Sequence, residues 1–343
     1  MPAKSSQMKC EIGQIPQAIS YLLDIGAAPV RATADTLRAL DPAYLITVAR
    51  GSSDHAASYL KYASELLLGL PVASVGPSVA SVYQAPLRVA NTATLAISQS
   101  GKSPDIVRLT ESLRRGGSHT IALTNDTGAP LADCADATLD ICAGIELSVA
   151  ATKTFVTSAV AGLWLLAEWK QDAELLAAIR ALPEVLDKAR AADWSEMRAA
   201  VRKGGSVFTL GRGPSWAISN EAALKFKETC QRHAESYSSA EVMHGPVSIV
   251  GADFPVLAFA SADAAEASVV EIADQIAAKG ANVFVTSTLA GRAKTLPTVR
   301  TGHPLTDPLA LIVSFYAMVE GLASDLGIDP DAPRHLNKVT ETV

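Results

Sequence analysis

The segment TLAISQSGKSPD, residues 94–105, decides the fold of this 343-residue chain. An apolar run that ends at Ile97 predicts a buried β-strand, and Ser103 followed by Pro104 predicts the N-cap and first residue of a helix. Between them, the turn 98–103 presents hydroxyls and backbone N–H groups at the positive end of the helix dipole, an arrangement suited to a phosphate dianion. A polar loop that only caps its helix would have the same pattern. The segment is neither a Walker loop nor a dinucleotide-binding fingerprint.

Short β-branched runs alternate with longer helical patterns on both sides of this segment. In the first half the predicted strands are 44–48, 72–75, 92–97, 120–124 and 138–141. The predicted helices there are 54–68, 103–115 and 152–169. In the second half the predicted strands are 206–210, 255–259 and 282–286. The predicted helices there are 217–229, 264–279 and 309–326. Alternation of this kind predicts parallel sheets covered on both faces by helices. We therefore expect an α/β protein of two tandem doubly wound, flavodoxin-like lobes.

The two halves contain an internal repeat. VARGSSDHAASYLKYASELL from Val48 aligns with LGRGPSWAISNEAALKFKET from Leu210, which places Gly51 over Gly213. Because each copy lies between a predicted strand and a predicted helix, duplication explains the match better than chance. We predict a helical lead-in, two domains and a C-terminal tail, with the bounds 1–27, 28–195, 196–330 and 331–343.

The composition limits the function classes. A net charge of −6 and a sequence pI near 5.6 argue against nucleic acid, for which a basic face is expected. The N-terminal segment has no apolar core, and the most apolar stretch, 156–169, is too short to span a bilayer. We expect a cytoplasmic protein with no membrane association. The cysteines are scattered, so we expect buried thiols and no metal or cofactor: Cys10, Cys134, Cys142 and Cys230.

A second group of ionisable residues lies in NEAALKFKETCQRHAESYSSAEVMHGP, residues 220–246. Three side chains would share one face of a helix: Glu221, Lys225 and Glu228. A solvated, salt-bridged helix has the same spacing. The helix follows the R-G-x-S turn, however, and leads into a predicted loop with His233 and Glu235 and a turn with His244. This arrangement favours a proton-transfer site.

The C-terminal segment DPDAPRHLNKVTETV, residues 329–343, is polar and contains two prolines. It fits a solvated tail. It also fits a tail that folds over a site and delivers Lys338, whose amine could form a Schiff base or donate a proton.

The chain resembles the sugar isomerase (SIS) domain family over about residues 25–343. It resembles in particular the double-SIS isomerase half of glutamine–fructose-6-phosphate aminotransferase and the SIS-type glucosamine-6-phosphate deaminases. The resemblance rests on six segments in the same order: ARGSS, SQSGKS, SVAATKTF, LGRGPSWAISNEAALKFKE, AEVMHGPVSIV and APRHLNKVT.

The resemblance implies a sugar-phosphate site built from several segments. The phosphate and nearby sugar hydroxyls would be held by Ser52, Ser98, Gln99, Ser100 and Ser103, with Ser53 beside Ser52. The backbone of Val149 and Ala150 would line the sugar. Three positions depart from the family: Lys102 replaces a glutamate, Ser103 a threonine and Asn337 a small residue. These departures affect the hydroxyl contacts more than the chemistry.

The resemblance also implies the catalytic roles. Glu228 would move a proton between C1 and C2, with Lys225 and Glu221 beside it. His244 would assist ring opening from the neighbouring subunit, which implies a homodimer with shared active sites. Lys338 would open the ring or form an imine with the open ketose.

The family's synthase begins with a glutaminase domain, whereas this chain starts MPAKSSQ and reaches the first SIS lobe within about 25 to 40 residues. We therefore expect the reverse reaction, a glucosamine-6-phosphate deaminase that releases fructose 6-phosphate and ammonia. Three alternatives stay open. They are an enzyme for another 6-phospho amino sugar, a synthase supplied with free ammonia or by a separate glutaminase, and a sugar-phosphate sensor without catalysis.

Overall fold

The computed structural model describes residues 5–336 and Lys338, which form two compact units. The first unit contains residues 17–146 and 153–180 together with Lys338. The second unit contains residues 5–16, 147–152 and 181–336. Helix α1 (Gln7–Ile25) begins in the second unit and continues into the first.

The first unit is built on a parallel sheet of five strands: β1 (Leu45–Val48), β2 (Val72–Ser74), β3 (Thr92–Ile97), β4 (Ser118–Thr124) and β5 (Ala137–Asp140). Their order across the sheet is β2-β1-β3-β4-β5, and every neighbouring pair is parallel. All residues of β1 and β3 are buried, as expected for strands covered on both faces.

Helices cover this sheet: α2 (Ala27–Leu40), α3 (Ser52–Leu67), α4 (Ser78–Ser81), α5 (Pro104–Arg115), α6 (Pro130–Asp133) and α7 (Lys153–Lys170). Residues 153–167 of α7 are all buried, so the apolar stretch 156–169 is a core helix. A Cβ on Gly162 would overlap the side chain of Leu60, so glycine allows α7 to pack closely on α3. Helix α8 (Ala173–Ala189) leads into the second unit.

The second unit contains another parallel sheet: β6 (Ser206–Gly211), β7 (His233–Ser238), β8 (Pro255–Ala258), β9 (Asn282–Val285) and β10 (Lys294–Thr295). The order is β10-β9-β8-β6-β7. As in the first unit, the first strand in sequence lies between the second and the third, followed by the fourth and the fifth. The prediction of two doubly wound α/β lobes is therefore confirmed.

The helices of the second unit are α9 (Ser195–Lys203), α10 (Pro214–Cys230), α11 (Glu266–Ala277) and α12 (Asp307–Asp325). Two 3₁₀ turns, Val242–His244 and Pro246–Ile249, follow β7. Within the described part of the chain, α12 alone is long and apolar enough to cross a membrane, and 83% of its apolar window is buried inside the protein.

The turn that joins the first strand to the first helix is the same in both lobes. Gly51 has φ 53° and ψ −132°, and Gly213 has φ 57° and ψ −134°. A side chain rarely adopts this positive-φ conformation, so the turn requires glycine. Identical backbone geometry at the two aligned glycines supports the duplication.

The prediction of a loop at His233 and Glu235 is wrong, because both residues lie in strand β7. The segment His233–Ser238 instead pairs with β6 and forms one edge of the sheet. Only Ala234 is fully buried in it, because an edge strand exposes much of its surface and tolerates polar residues. His233 is exposed, and Glu235 accepts a hydrogen bond from the Tyr237 hydroxyl at 2.8 Å.

The cysteines are free, and three of the four are buried as expected. Burial raises the pKa of the Cys134 thiol to about 11 and the pKa of the Cys142 and Cys230 thiols to about 12. Cys10 is exposed on α1, contrary to the prediction, because it lies on the outer side of an amphipathic helix whose buried face carries Met8 and Ile12.

Candidate functional site

The first unit brings two polar loops to one edge of its sheet. β1 and β3 are adjacent and parallel, with Ile46 opposite Thr94, although β2 lies between them in the sequence. The loops at their carboxyl ends, 49–52 and 98–103, therefore flank the point where the strand order reverses. In doubly wound sheets this crevice is where ligands bind.

The loop 98–103 is held by an internal hydrogen bond and by hydrogen bonds to the residue after β4 and to α6. Gly101 has φ 63° and donates its N–H to the Ser98 hydroxyl at 3.2 Å. The carbonyl of Gln99 accepts the N–H of Asn125 at 3.2 Å, and the carbonyl of Gly101 accepts the N–H of Leu131 at 3.0 Å. The backbone is thus fixed before any ligand arrives.

Hydroxyl groups remain available around this loop. Ser103 is the N-cap of α5, as predicted, but its hydroxyl makes no capping hydrogen bond. The Ser100 hydroxyl accepts the N–H of Lys102 at 3.3 Å, so its own proton can still be donated. Ser98 is buried, whereas Gln99, Ser100 and Ser103 are half-buried. The arrangement can donate several hydrogen bonds to one anion.

Gly101→Ala should damage this loop. An added Cβ would lie 2.7 Å from the Ala129 Cβ and 3.0 Å from the Thr124 Oγ1, and φ is positive. We expect a loss of about 1–3 kcal/mol in the free energy of unfolding and at least a roughly tenfold loss of affinity for inorganic phosphate, by urea denaturation and calorimetry. Gly13→Ala is the control, since no atom lies within 4 Å of its added Cβ. Wild-type phosphate binding by Gly101→Ala would contradict the prediction.

The two loops are joined by an ion pair that the sequence analysis did not assign. Arg50, in the loop after β1, pairs with the carboxylate of Asp105 in the first turn of α5. The Asp105 side chain is fully buried and the Arg50 side chain is 44% exposed. A buried carboxylate needs such a partner, so Arg50 fixes the spacing of the two loops. The repeated R-G-x-S motif contained the only sequence indication.

The two serines after β1 begin α3 and do not cap it. Gly51 occupies the N-cap position, and Ser52 and Ser53 are the first two residues of the helix, both half-buried. Gly51 takes the N-cap position because the turn ends at this positive-φ glycine and the helix starts directly after it. Burial raises the pKa of the adjacent Asp54 carboxyl, and His55 partly opposes this.

Lys102 adds a positive charge beside the loop. Its ammonium lies 3.0 Å from the Asp126 carboxylate, and both side chains are largely exposed. The hydrogen bond from Lys102, together with one from the Gly128 N–H, lowers the pKa of Asp126. Such an exposed pair contributes little to stability. A cation at this position suits an anionic ligand.

In the second unit, α10 carries a buried ionic cluster. The Lys225 ammonium lies 3.2 Å from the Glu221 carboxylate and 2.5 Å from that of Glu228. The Tyr316 hydroxyl donates to Glu221 at 3.0 Å. Burial lowers the pKa of Lys225, but the two carboxylates outweigh it and the net pKa is raised. The face predicted by the spacing is thus present, and it is buried rather than solvated.

Glu228 is the member of this cluster that reaches solvent, with 21% of its side chain exposed, whereas Glu221 and Lys225 have none. Its Oε2 accepts a hydrogen bond from Lys225, and its Oε1 has no hydrogen-bond partner among residues 5–336 and Lys338. A carboxylate anchored at one oxygen and open at the other can accept and return a proton.

His244 is not brought to this cluster by any described contact. It ends the 3₁₀ turn Val242–His244, its N–H bonds the Glu241 carbonyl at 2.8 Å, and its side chain is exposed. Gly245 follows with φ 140°, so the chain turns sharply at an exposed site.

The segment with Val149 and Ala150 is held by a residue that the sequence analysis missed. The Glu11 carboxylate on α1 accepts the Ser148 N–H at 3.3 Å, the Ser148 hydroxyl and the Leu147 N–H. Ala150 is buried and Val149 is half-buried. Glu11 is 137 residues from Ser148, so no local pattern could reveal the contact.

The segment before Lys338 is held by hydrogen bonds to the first turn of α1 and is not simply solvated. Asp331 accepts the N–H of Gln7 at 2.6 Å and the N–H of Met8 at 2.9 Å, which satisfies the first turn of α1. Lys338 lies in the first unit, where its ammonium is 3.1 Å from the Glu146 carboxylate. Asn337 lies outside the described residues.

The SIS domain family matches residues 42–168 and 201–292. The chain belongs to the SIS domain family. The first matched region contains the whole first sheet and the second contains β6 to β9, so the resemblance stated from the six segments is confirmed.

Known relatives agree with this assignment. A candidate phosphosugar isomerase of Silicibacter pomeroyi DSS-3 is 64% identical, with a TM-score of 0.93 over 95% of this chain and 100% of that one. Glutamine–fructose-6-phosphate aminotransferase of Aeropyrum pernix is 33% identical over 86% of this chain and 50% of its own length. The chain thus spans about half the length of that relative. A glucosamine-6-phosphate deaminase of Thermotoga maritima has the same fold at 18% identity, with a TM-score of 0.79 over 98% of this chain and 100% of its own.

The second SIS lobe has a different set of side-chain contacts at the strand ends that correspond to the 98–103 loop. At its equivalent strand ends, the hydroxyls of Ser215 and Ser261 bond each other at 2.7 Å. Arg300 lies beside them and pairs with Glu266 at 2.7 Å and with Asp307 at 2.9 Å. Among residues 5–336 and Lys338, no group of three or more His, Cys, Asp or Glu is placed to hold a metal ion.

Proposed function

We propose that this SIS protein is an isomerising glucosamine-6-phosphate deaminase, which converts glucosamine 6-phosphate and water to fructose 6-phosphate and ammonia. The observation that carries the proposal is Glu228, a carboxylate fixed at one oxygen by a buried lysine and open at the other. An aldose–ketose interconversion needs such a group, because one base must remove a proton from C2 and return it to C1.

The loop 98–103 supports a phosphorylated substrate. It combines a fixed backbone, three half-buried polar side chains and the N-terminus of α5. Lys102 in this loop and Arg50 in the loop after β1 add cationic side chains, each paired with a carboxylate. In this proposal Ser98, Gln99, Ser100 and Ser103 hold the phosphate, Ser52 and Ser53 hold nearby hydroxyls, and the backbone of Val149 and Ala150 lines the sugar.

The reaction follows from the open-chain amino sugar. Glu228 takes the proton from C2 and delivers it to C1 through an enolamine, which leaves an imine at C2. Water adds to this imine, and ammonia leaves as the ketone of fructose 6-phosphate forms. Lys225 keeps Glu228 in position throughout, and the buried Glu221 balances the lysine charge.

The remaining groups complete the proposal. His244, exposed on its turn, would assist ring opening in the site of a neighbouring subunit, so the active form would be a homodimer in the cytoplasm. Lys338 would stabilise the carbonyl oxygen or hold the carbonyl carbon. Because a reaction and its reverse use the same groups, synthesis from fructose 6-phosphate and free ammonia is the second candidate. The 33% identity to the aminotransferase favours considering it.

The test is to incubate the purified protein with glucosamine 6-phosphate, without glutamine, and to measure ammonia and fructose 6-phosphate together. We expect equimolar formation of both. Glucose 6-phosphate is the control, since it binds the same loop and has no amine to release. Release only from galactosamine 6-phosphate or a fructosamine 6-phosphate would change the substrate. No release from any of the three would refute the deaminase.

A further inference from the structure

Glu146 lies in the first unit between β5 and α7, and its carboxylate is completely buried. Thr154 donates its N–H to Oε1 at 3.1 Å and its hydroxyl to Oε2 at 2.6 Å. The Lys338 ammonium donates to Oε2 at 3.1 Å. Neighbouring Lys153 donates to the Ile145 carbonyl at 2.8 Å and so fixes the backbone just before Glu146.

The burial of this carboxylate makes its partners important. An ionised carboxylate without contact to water requires donors for its oxygens, and a charged donor contributes more than a neutral one. Lys338 is 192 residues from Glu146 in sequence, and 26% of its side chain is exposed. Glu146 therefore binds a cation that is distant in the sequence. The two hydrogen bonds from Thr154 keep the carboxylate aimed at the position that the ammonium occupies.

We propose that Glu146 is the positioning residue for Lys338: its buried carboxylate fixes where the amine of Lys338 lies in the first SIS lobe. The positioning itself rests only on the contacts of Glu146. Its importance for catalysis rests on the proposed function, in which Lys338 acts at the sugar carbonyl. Loss of Glu146 would leave the amine present but unfixed.

Glu146→Gln separates these contacts well. The amide oxygen can still accept the Thr154 N–H, and the amide nitrogen can donate to the Thr154 hydroxyl oxygen, so the local fold has its hydrogen bonds. The same nitrogen faces the Lys338 ammonium as donor against donor, which removes the attraction. The matched control is Glu65→Gln, which breaks a half-buried ion pair with Lys61 in the same unit.

The first experiment needs no substrate. Reductive methylation with formaldehyde and cyanoborohydride, followed by peptide mass spectrometry, measures how fast each lysine reacts. We expect Lys338 to react about tenfold faster in Glu146→Gln than in the wild type, the factor expected for loss of one charge-assisted hydrogen bond. In Glu65→Gln the Lys338 rate should be unchanged.

The second experiment measures ammonia release from glucosamine 6-phosphate. For Glu146→Gln we expect kcat to fall about tenfold or more, with unchanged affinity for inorganic phosphate, because the loop 98–103 is intact. Lys338→Arg, which keeps a cation for Glu146, should retain the hydrogen-exchange protection of residues 145–154, whereas Lys338→Met should lose it. A protein that releases no ammonia would refute the proposed function and leave the labelling result to decide the role of Glu146.

If Glu146→Gln does not fold, Glu146→Asp withdraws the carboxylate by one methylene and should also speed the methylation of Lys338. Equal methylation rates of Lys338 in the wild type and in a folded Glu146 variant would overturn the proposal. So would an unchanged kcat in Glu146→Gln when the wild type is active.

Discussion

Glu228→Gln should nearly abolish ammonia release from glucosamine 6-phosphate, with kcat about 10²–10⁴-fold lower. The amide has the size of the carboxylate but cannot accept a proton from carbon. Lys225 keeps its contact with the buried Glu221, so the fold of α10 is preserved. The KM should change little, because the phosphate is proposed to bind in the other lobe's loop. Steady-state kinetics with coupled detection of ammonia would measure both constants.

A second measurement isolates the proton transfer itself. In deuterated water, a base that shuttles a proton between C2 and C1 introduces deuterium into the fructose 6-phosphate, and NMR detects it. Glu228→Gln should lose this exchange together with turnover. The control is Glu235→Gln on β7, whose carboxylate accepts a hydrogen bond from Tyr237 and takes no part in the proposed reaction. Turnover of Glu228→Gln within about threefold of wild type would rule out Glu228 as the base.

The parts of the fold that the sequence predicts well are those with local causes. The bounds of β3 agree with the prediction because an apolar β-branched run meets a serine and a proline that start α5. The same reasoning finds α7, in which an apolar run extends from Ala159 to Ala167. In each case the determining residues lie within a few positions of the element.

The sequence analysis did not predict β7 and β10, because no local sequence pattern determines these two strands. β7 is polar and lies at the edge of its sheet, so its hydrogen bonds to β6 define it and its side chains do not. β10 consists of only Lys294–Thr295, both exposed, and pairs with β9. Strands of this kind depend on a neighbour that the local sequence does not reveal.

In the candidate site too, features with local causes were predicted and features that depend on distant residues were not. Helical spacing correctly placed Glu221, Lys225 and Glu228 on one face, but it could not establish that the face is buried. That depends on α12, which contributes Tyr316 from 95 residues away. The carboxylates of Glu11 and Glu146 likewise act on partners more than 130 residues distant. Burial and long-range pairing are tertiary properties, and spacing alone cannot supply them.

Lys225→Met should be strongly destabilising. It removes the cation that pairs with two carboxylates, of which the Glu221 side chain is fully buried and the Glu228 side chain largely so. Breaking a buried ion pair from one side leaves an uncompensated charge, so we expect the free energy of unfolding to fall by about 3–5 kcal/mol at pH 7. Urea denaturation would measure the loss. Lys227→Met is the matched control, because Lys227 is exposed on the same helix and its replacement should change stability by less than about 0.5 kcal/mol.

The pH dependence tests the cause. The folded protein raises the pKa of Lys225, so the stabilisation from its charge is fully present below the ordinary lysine pKa and is lost only as the pH rises through the raised value. The wild-type contribution is therefore constant between pH 5 and pH 8. In Lys225→Met, the deficit in the free energy of unfolding relative to the wild type should therefore stay constant between pH 5 and pH 8.

A double variant completes the argument. Glu221→Gln combined with Lys225→Met removes both fully buried charges, and it should be more stable than Lys225→Met alone at pH 7, because no buried carboxylate is left without a cation. If Lys225→Met were as stable as Lys227→Met, or if its deficit grew as the pH fell, the cluster would not be the buried ionic anchor that holds Glu228 in place.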